Sequence, residues 1–289
     1  MIRAGALGRH TATVLFSAVD RREAWLWILA IFVVSTVALR SVDGTMAGLM
    51  RAFGDHNLIY WFCYAVIARS IAGSAALPID RISVVALFGG ALSLFVVGVA
   101  TNVPALDGII ATGLGAVLYW KYSDDPGLRR ASILMLALGV NLFWAQVVFA
   151  LLKEQIVTLD AGLAEVMLRV AGYEVERTIN TVSTGSGFKI SIIGECSAFN
   201  NLSLAILAAL AAIIGVRGSL RRDDIIGILI VCVVLIAFNT VRLSVFASSH
   251  SAYEYWHEGE GAPVLAILQI VLTLGAAAAI SLRTRHRFA

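Results

Sequence analysis

The chain reads as an all-α polytopic membrane protein of about eight transmembrane helices, with both termini cytoplasmic. Three observations predict this. Hydrophobic residues make up 59% of the 289 positions and charged residues only 14%, where soluble domains carry about 25% charged. The apolar residues fall into long runs instead of amphipathic stripes, and mean hydropathy is +0.86. The lysines and arginines concentrate in alternate loops. No soluble domain of appreciable size fits in what remains, so the chain is a single integral membrane domain.

The spans follow in order. Residues 1–22 are basic and end in Asp20-Arg21-Arg22. Without a small-residue cleavage site they read as a cytoplasmic lead-in to an uncleaved first span. Apolar runs then predict spans at Trp25–Leu39, Leu58–Leu77, Ile82–Ala100, the short Gly108–Trp120, and Ala131–Leu152. After a polar interval come Ser197–Val216, Ile225–Ala247 and Ala262–Leu282. The domain thus divides into five N-terminal spans (1–152), an outer loop (153–196) and three last spans (197–282).

Orientation follows from the positive-inside rule. With a cytoplasmic N-terminus, the inner loops hold 14 Lys and Arg and the outer ones 6, most of these in the 153–196 loop. That pattern also accounts for the net charge of +3, and nothing points to nucleic acid. Arg69 and Arg242 fall inside spans, where a charge costs about 2.5–3.5 kcal/mol on insertion scales and needs a partner or a reason. An ion pair or snorkelling suffices for Arg69. Arg242, five residues before Ala247, is about 8 Å from the outer end of its helix and can reach the interface.

In the outer loop, Leu163, Val166, Met167 and Val170 recur at helical spacing within Glu154–Gly172. This predicts a small amphipathic helix on the membrane surface. Ser183-Thr-Gly-Ser-Gly187 is turn chemistry, and the partial alternation of Phe188–Ile193 fits a β-hairpin over Thr181–Ile193. Its second strand would lead straight to Cys196.

Three reactive residues lie at the outer ends of successive spans: Cys196, Arg242 and His257. Cys196 is expected in the first turn of the sixth span, where free N–H groups and the helix dipole favour a thiolate and would stabilise an oxyanion. Cys63 and Cys232 lie within apolar runs and read as small buried hydrophobes. Arg242 can favour the thiolate and hold a carbonyl oxygen or carboxylate. His257 can shuttle a proton, with His250 as its rival. His250, Glu254 and His257 are also the candidate ligands of a metal.

At these residues the sequence resembles the exosortase/archaeosortase membrane cysteine transpeptidases and proteases. Cys196-Ser197 matches the start of a Cys-Ser-Gly box, with Ala198 in the glycine position. Asn239-Thr-Val-Arg242 matches an Asn-x-x-Arg box, and His257-Glu-Gly-Glu-Gly261 a His-x-x-x-Gly box, followed by Ala262 where tryptophan is common. The match selects His257 over His250 and spans roughly residues 160–282. The resemblance implies Cys196, Arg242 and His257 as catalytic residues, with Ser197, Asn239 and Gly261 supporting. It further implies secreted substrate proteins bearing a C-terminal motif, transmembrane helix and basic tail. These would be cut at the periplasmic face of a bacterial cytoplasmic membrane through a thioester, often in connection with exopolysaccharide export. Ala198 and Ala262 mark a divergent subfamily.

Beyond substrate proteins, the expected partner is membrane lipid. No cofactor or metal is expected, and nothing in the sequence sets an oligomeric state. Two other classes stay open: a transporter or exopolysaccharide-assembly protein, suggested by Arg69 and Gly89-Gly90, and a metal-dependent intramembrane hydrolase.

Overall fold

A computed structural model describes residues 20–38, 57–75, 89–90, 96, 105–185 and 187–283. The predicted third span (82–100), apart from 89–90 and 96, and the first 19 residues of the basic lead-in lie outside the described residues. The protein is a multi-pass membrane protein, and its chain divides into two compact units, residues 1–143 and 144–289.

The first unit contains α1 (Arg21–Ala38), α2 (Leu58–Ala72), α3 (Ala105–Tyr122) and α4 (Pro126–Gly139). α3 and α4 form a close helical hairpin. At Gly115 an added methyl would lie 2.9 Å from Leu136 N, and at Gly139 it would meet Thr112. Asp125 starts α4 and organises the turn. Its Oδ1 accepts from Gly127 N and Leu128 N at 2.8 and 3.1 Å, and its Oδ2 from Arg21 Nη2 at 3.0 Å and Ala75 N at 2.9 Å. Pro126 at the first helical position suits that cap. Arg69 is exposed in the last turn of α2, which ends at Ala72 and not at the predicted Leu77. It is therefore a helix-end cation and not a mid-span charge.

A π-helical turn, Val140–Trp144, lies between α4 and α5 (Ala145–Val170). α5 runs unbroken through residue 153, where the sequence suggested a span ending and a surface helix beginning. Its apolar residues Val166, Met167 and Val170 are exposed, and the packed face consists of Val157, Ala161, Ala164 and Leu168. Behind α5 comes a three-stranded antiparallel sheet: β1 (Val175–Thr178), β2 (Thr181–Thr184) and β3 (Lys189–Ser191), in that order. β1 is an additional strand that the sequence reading omitted. In register, Val175 faces Thr184, and Val182 faces Ile190. Val175, Val182 and Ile190 join one buried cluster with the packed face of α5 and with Leu243, Phe246 and Ala247. The Glu165–Arg177 ion pair (2.7 Å) ties β1 to α5, and Arg169, paired with Glu165 on α5 itself at 2.9 Å, donates from Nη2 to Val175 O at 2.8 Å.

α6 (Ala198–Arg217) stops at Gly218, whose φ of 77° favours glycine. It is followed by α7 (Arg222–Ser248), a short α8 (His250–Tyr253), a π-helical turn (Glu254–Glu258) and α9 (Gly261–Arg283). Among the described residues, α7 and residues Gly261–Leu282 of α9 are each long and apolar enough to cross a membrane, while α2 and Asn201–Arg217 are apolar but shorter. At 27 residues α7 is about 40 Å long, against a hydrocarbon core of about 30 Å. α7 and α9 run antiparallel, since Gly227 neighbours Ile280 and Arg242 neighbours Gln269. Between the first half of α7 and the last half of α9 lies an apolar cavity of about 460 Å³, lined by Gly227, Val231, Leu235, Leu272 and Gly275. Arg242 lies at the other end of α7.

Candidate functional site

Cys196 does not lie in the first turn of α6. It closes a 3-10 turn, Gly194–Cys196, and Ser197 is the N-cap, so the helix begins one residue later. Gly194 is needed here because an added methyl would lie 2.8 Å from the Phe149 ring of α5. The N–H groups expected to receive an oxyanion already have acceptors. Cys196 N donates to Ile193 O at 3.0 Å and Ser197 N to Gly194 O at 3.2 Å. Ala198 N donates to Asp160 Oδ2 at 3.3 Å, and Phe199 N to Ser197 Oγ at 3.1 Å. These four N–H groups are thus engaged internally.

The candidate cation is Arg242, on α7. Asn239, one turn before it on α7 and 2% exposed, donates from Nδ2 to Cys196 O at 3.2 Å. This bond fixes the Cys196 turn against α7 and supplies a physical reason for the Asn-x-x-Arg spacing: residues three apart share a helix face. The half-buried guanidinium lies over the Phe246 ring at 5.5 Å, and its Nη1 donates to Gln269 Oε1 at 3.4 Å. Gln269 Nε2 in turn donates to Asn201 Oδ1 at 2.5 Å. Arg242 Nε has no partner among the described residues. Arg242 is also within electrostatic reach of Cys196 and of Asp160.

His257 arrives from the other side of Phe246, at 5.1 Å between ring centroids and 88° between ring planes. It stacks on Tyr253 at 4.6 Å and 13°, and its Nδ1 is buried without a partner among the described residues. Phe246 therefore carries Arg242 on its face and meets His257 edge-on. Cys196, Tyr253 and Trp256 pack against the same cluster. Removal from water, then the Glu258 carboxylate and Cys196, raise the Tyr253 phenol above its ordinary value. Gly261 acts through space as well: an added methyl would lie 2.5 Å from Trp256 Cε3 and 2.9 Å from Tyr255 O. The glycine lets the start of α9 nest against the turn that carries His257.

The rival histidine is engaged elsewhere. His250 Nδ1 lies 3.4 Å from Glu254 Oε2, with both side chains exposed, and its ring meets Phe188. Among the described residues no group of three or more His, Cys, Asp or Glu is arranged to hold a metal ion. Cys63 is buried and Cys232 half-buried.

A family model for transmembrane exosortases matches residues 52–274, well over half of the chain. The chain belongs to the exosortase family. Curated proteins and solved structures gave no match. The family model begins well before the three boxes, so the exosortase match takes in α2, α3 and α4 of the first unit as well. Sequence reasoning missed three residues that lie around the candidate site of this exosortase. Phe246 was legible as the helical neighbour four residues after Arg242. Gln269 is the one amide side chain in α9, a polar signal in an otherwise largely apolar helix. Asp160 had no local signal beyond being a lone carboxylate among apolar neighbours.

Proposed function

We propose that the chain is a cysteine transpeptidase or endopeptidase of the exosortase type, acting at the outer face of a bacterial cytoplasmic membrane. Its substrates are secreted proteins carrying a C-terminal motif, a transmembrane helix and a basic tail. The observation that carries this reading is the convergence of Arg242 and His257 on Phe246, with the Cys196 turn bound to α7 one helical turn away through Asn239.

In the proposed reaction the Cys196 thiolate attacks the scissile carbonyl carbon, forming a C–S bond. The electron pair of the C=O bond moves onto oxygen, and the oxyanion is met by Arg242, whose Nε is free to donate. This narrows the expectation from sequence, because the N–H groups at the start of α6 already have acceptors. Collapse breaks the C–N bond as His257 gives a proton to the departing amine. The amine leaves with the substrate's helix and a thioester remains. Water or an acceptor amine then attacks the thioester carbonyl, forming a C–O or C–N bond. The C–S bond breaks, Cys196 leaves as the thiolate, and His257 accepts the nucleophile's proton.

The test uses cells expressing the native chain or Cys196→Ala, with mass spectrometry of the C-termini of secreted proteins. Native cells should lose the C-terminal helix and basic tail from a defined set of proteins, and Cys196→Ala cells should retain them. Equal processing by well-expressed Cys196→Ala protein would remove the nucleophile assignment.

A further inference from the structure

Asp160 takes no part in the steps above, yet it binds the turn that follows Cys196 and lies within electrostatic reach of Arg242. It lies on α5 and is 6% exposed. Its Oδ2 accepts from Ala198 N at 3.3 Å, and it hydrogen-bonds the Ser197 side chain. Ser197 Oγ meanwhile accepts from Phe199 N, so its own hydrogen is available to the carboxylate. The two residues that follow Cys196 are thereby tied to α5. Asp160 also lies within electrostatic reach of Arg242. One turn further along, Ser244 Oγ of α7, which donates to Thr240 O at 2.8 Å, lies 3.4 Å from Ala164 O, so α5 and α7 approach closely there. A carboxylate so far from water persists only with compensating partners. Here those partners are the Cys196 turn and the Arg242 cation.

We propose that Asp160 is a positioning residue for this reaction: it clamps the Ser197–Ala198 turn behind Cys196 and supplies the counter-charge that holds Arg242 toward that turn. The inference rests on the assignment of Cys196 and Arg242 to the chemistry. It links two boxes of the sequence through a third element that carries neither. In the resting site the Asp160 charge offsets Arg242. As the thiolate and then the oxyanion form, Arg242 turns its Nε toward them without losing its anchor. Among the described residues, the other titratable groups near Cys196 and Arg242 include Tyr253, Glu258 on Tyr253, and His257 beside Phe246.

The experiment uses the full chain with Cys63 and Cys232 replaced by alanine. Iodoacetamide modification of Cys196 is followed by mass spectrometry across the neutral pH range, and processing of secreted C-termini is measured in cells. Asp160→Asn keeps an oxygen for Ala198 N–H but removes the negative charge that the Cys196 turn and Arg242 share. Alkylation at neutral pH should rise about threefold or more, while processing falls about tenfold or more. Asp160→Glu should recover most of the processing. A residue that only held the turn would be replaced by asparagine with no change in the alkylation profile. A native profile together with native processing in Asp160→Asn overturns the proposal. Should that variant fail to accumulate, Ser197→Ala removes only the hydroxyl link. Lower processing at unchanged heat stability supports the clamp, and native processing overturns it. Failure of the underlying reading looks different: Cys196→Ala protein would still process its substrates, whatever Asp160 does.

Discussion

Replacing Gly261 with alanine sets one methyl group against the turn that carries His257. The added carbon would lie 2.5 Å from Trp256 Cε3, 3.0 Å from Trp256 Cδ2 and 2.9 Å from Tyr255 O. Carbon pairs settle at about 3.5–4.0 Å, so about 1 Å must be taken up. The Trp256 ring can give some of it. Tyr255 O is backbone of the π-helical turn Glu254–Glu258 and yields only if that turn moves, taking His257 with it. Overpacking of this kind costs about 1–3 kcal/mol, and a reacting group displaced by 1 Å loses about 100-fold in rate. The Gly261→Ala protein should therefore unfold at lower temperature in detergent and process secreted C-termini at about a hundredth of the native rate. Gly275→Ala on the same helix is the matched control, because nothing lies within 4 Å of its added methyl. Native stability and native processing in Gly261→Ala would refute the close-packing account of the third box.

Two further outcomes follow from the geometry. Arg242→Lys keeps the charge but loses the planar group over Phe246 and the fork that reaches Gln269. Processing should fall about tenfold or more, and native turnover with lysine would show that charge alone suffices. In the first unit, burial alone would raise the Asp125 carboxyl. Hydrogen bonds from Ala75, Leu128 and Gly127 and the Arg21 charge outweigh it, and the net shift is downward. Its stabilisation is therefore present above the ordinary carboxylate value of about 4 and is lost as pH falls through the lower folded value. Heat stability in detergent should decline over that acid window in the native chain. The decline should flatten in Asp125→Ala, which also loses an N-cap worth about 0.5–2 kcal/mol. An identical acid decline in both proteins would dismiss Asp125 as its source.

The boundaries of the helices were only partly legible. Periodicity selected Leu163, Val166, Met167 and Val170 as the apolar face of the outer helix because they are its larger side chains. Tertiary packing buried a different face, Val157, Ala161, Ala164 and Leu168, against the sheet and α7. The helix also runs through the expected break at residue 153, because nothing near it caps or terminates a helix. The change of geometry falls instead at Val140–Trp144. In the site, spacing exposed what lies on one helix, such as Asn239 with Arg242. It could not expose Gly194 against Phe149, or the carboxylate that engages Ala198 N.

The sequence by itself determined the membrane class, from unbroken apolar runs, and the three reactive groups, from short boxes whose spacing is local. Only the tertiary structure decided what each group meets. It moved Cys196 out of the helix's first turn and engaged the N–H groups that would have met an oxyanion. It also brought Asp160 to the turn from 38 residues away. The physical reason is that helical periodicity is carried by neighbours three and four residues apart. A hydrogen bond between α5 and the start of α6 depends instead on how two helices and a sheet pack, which no local spacing records.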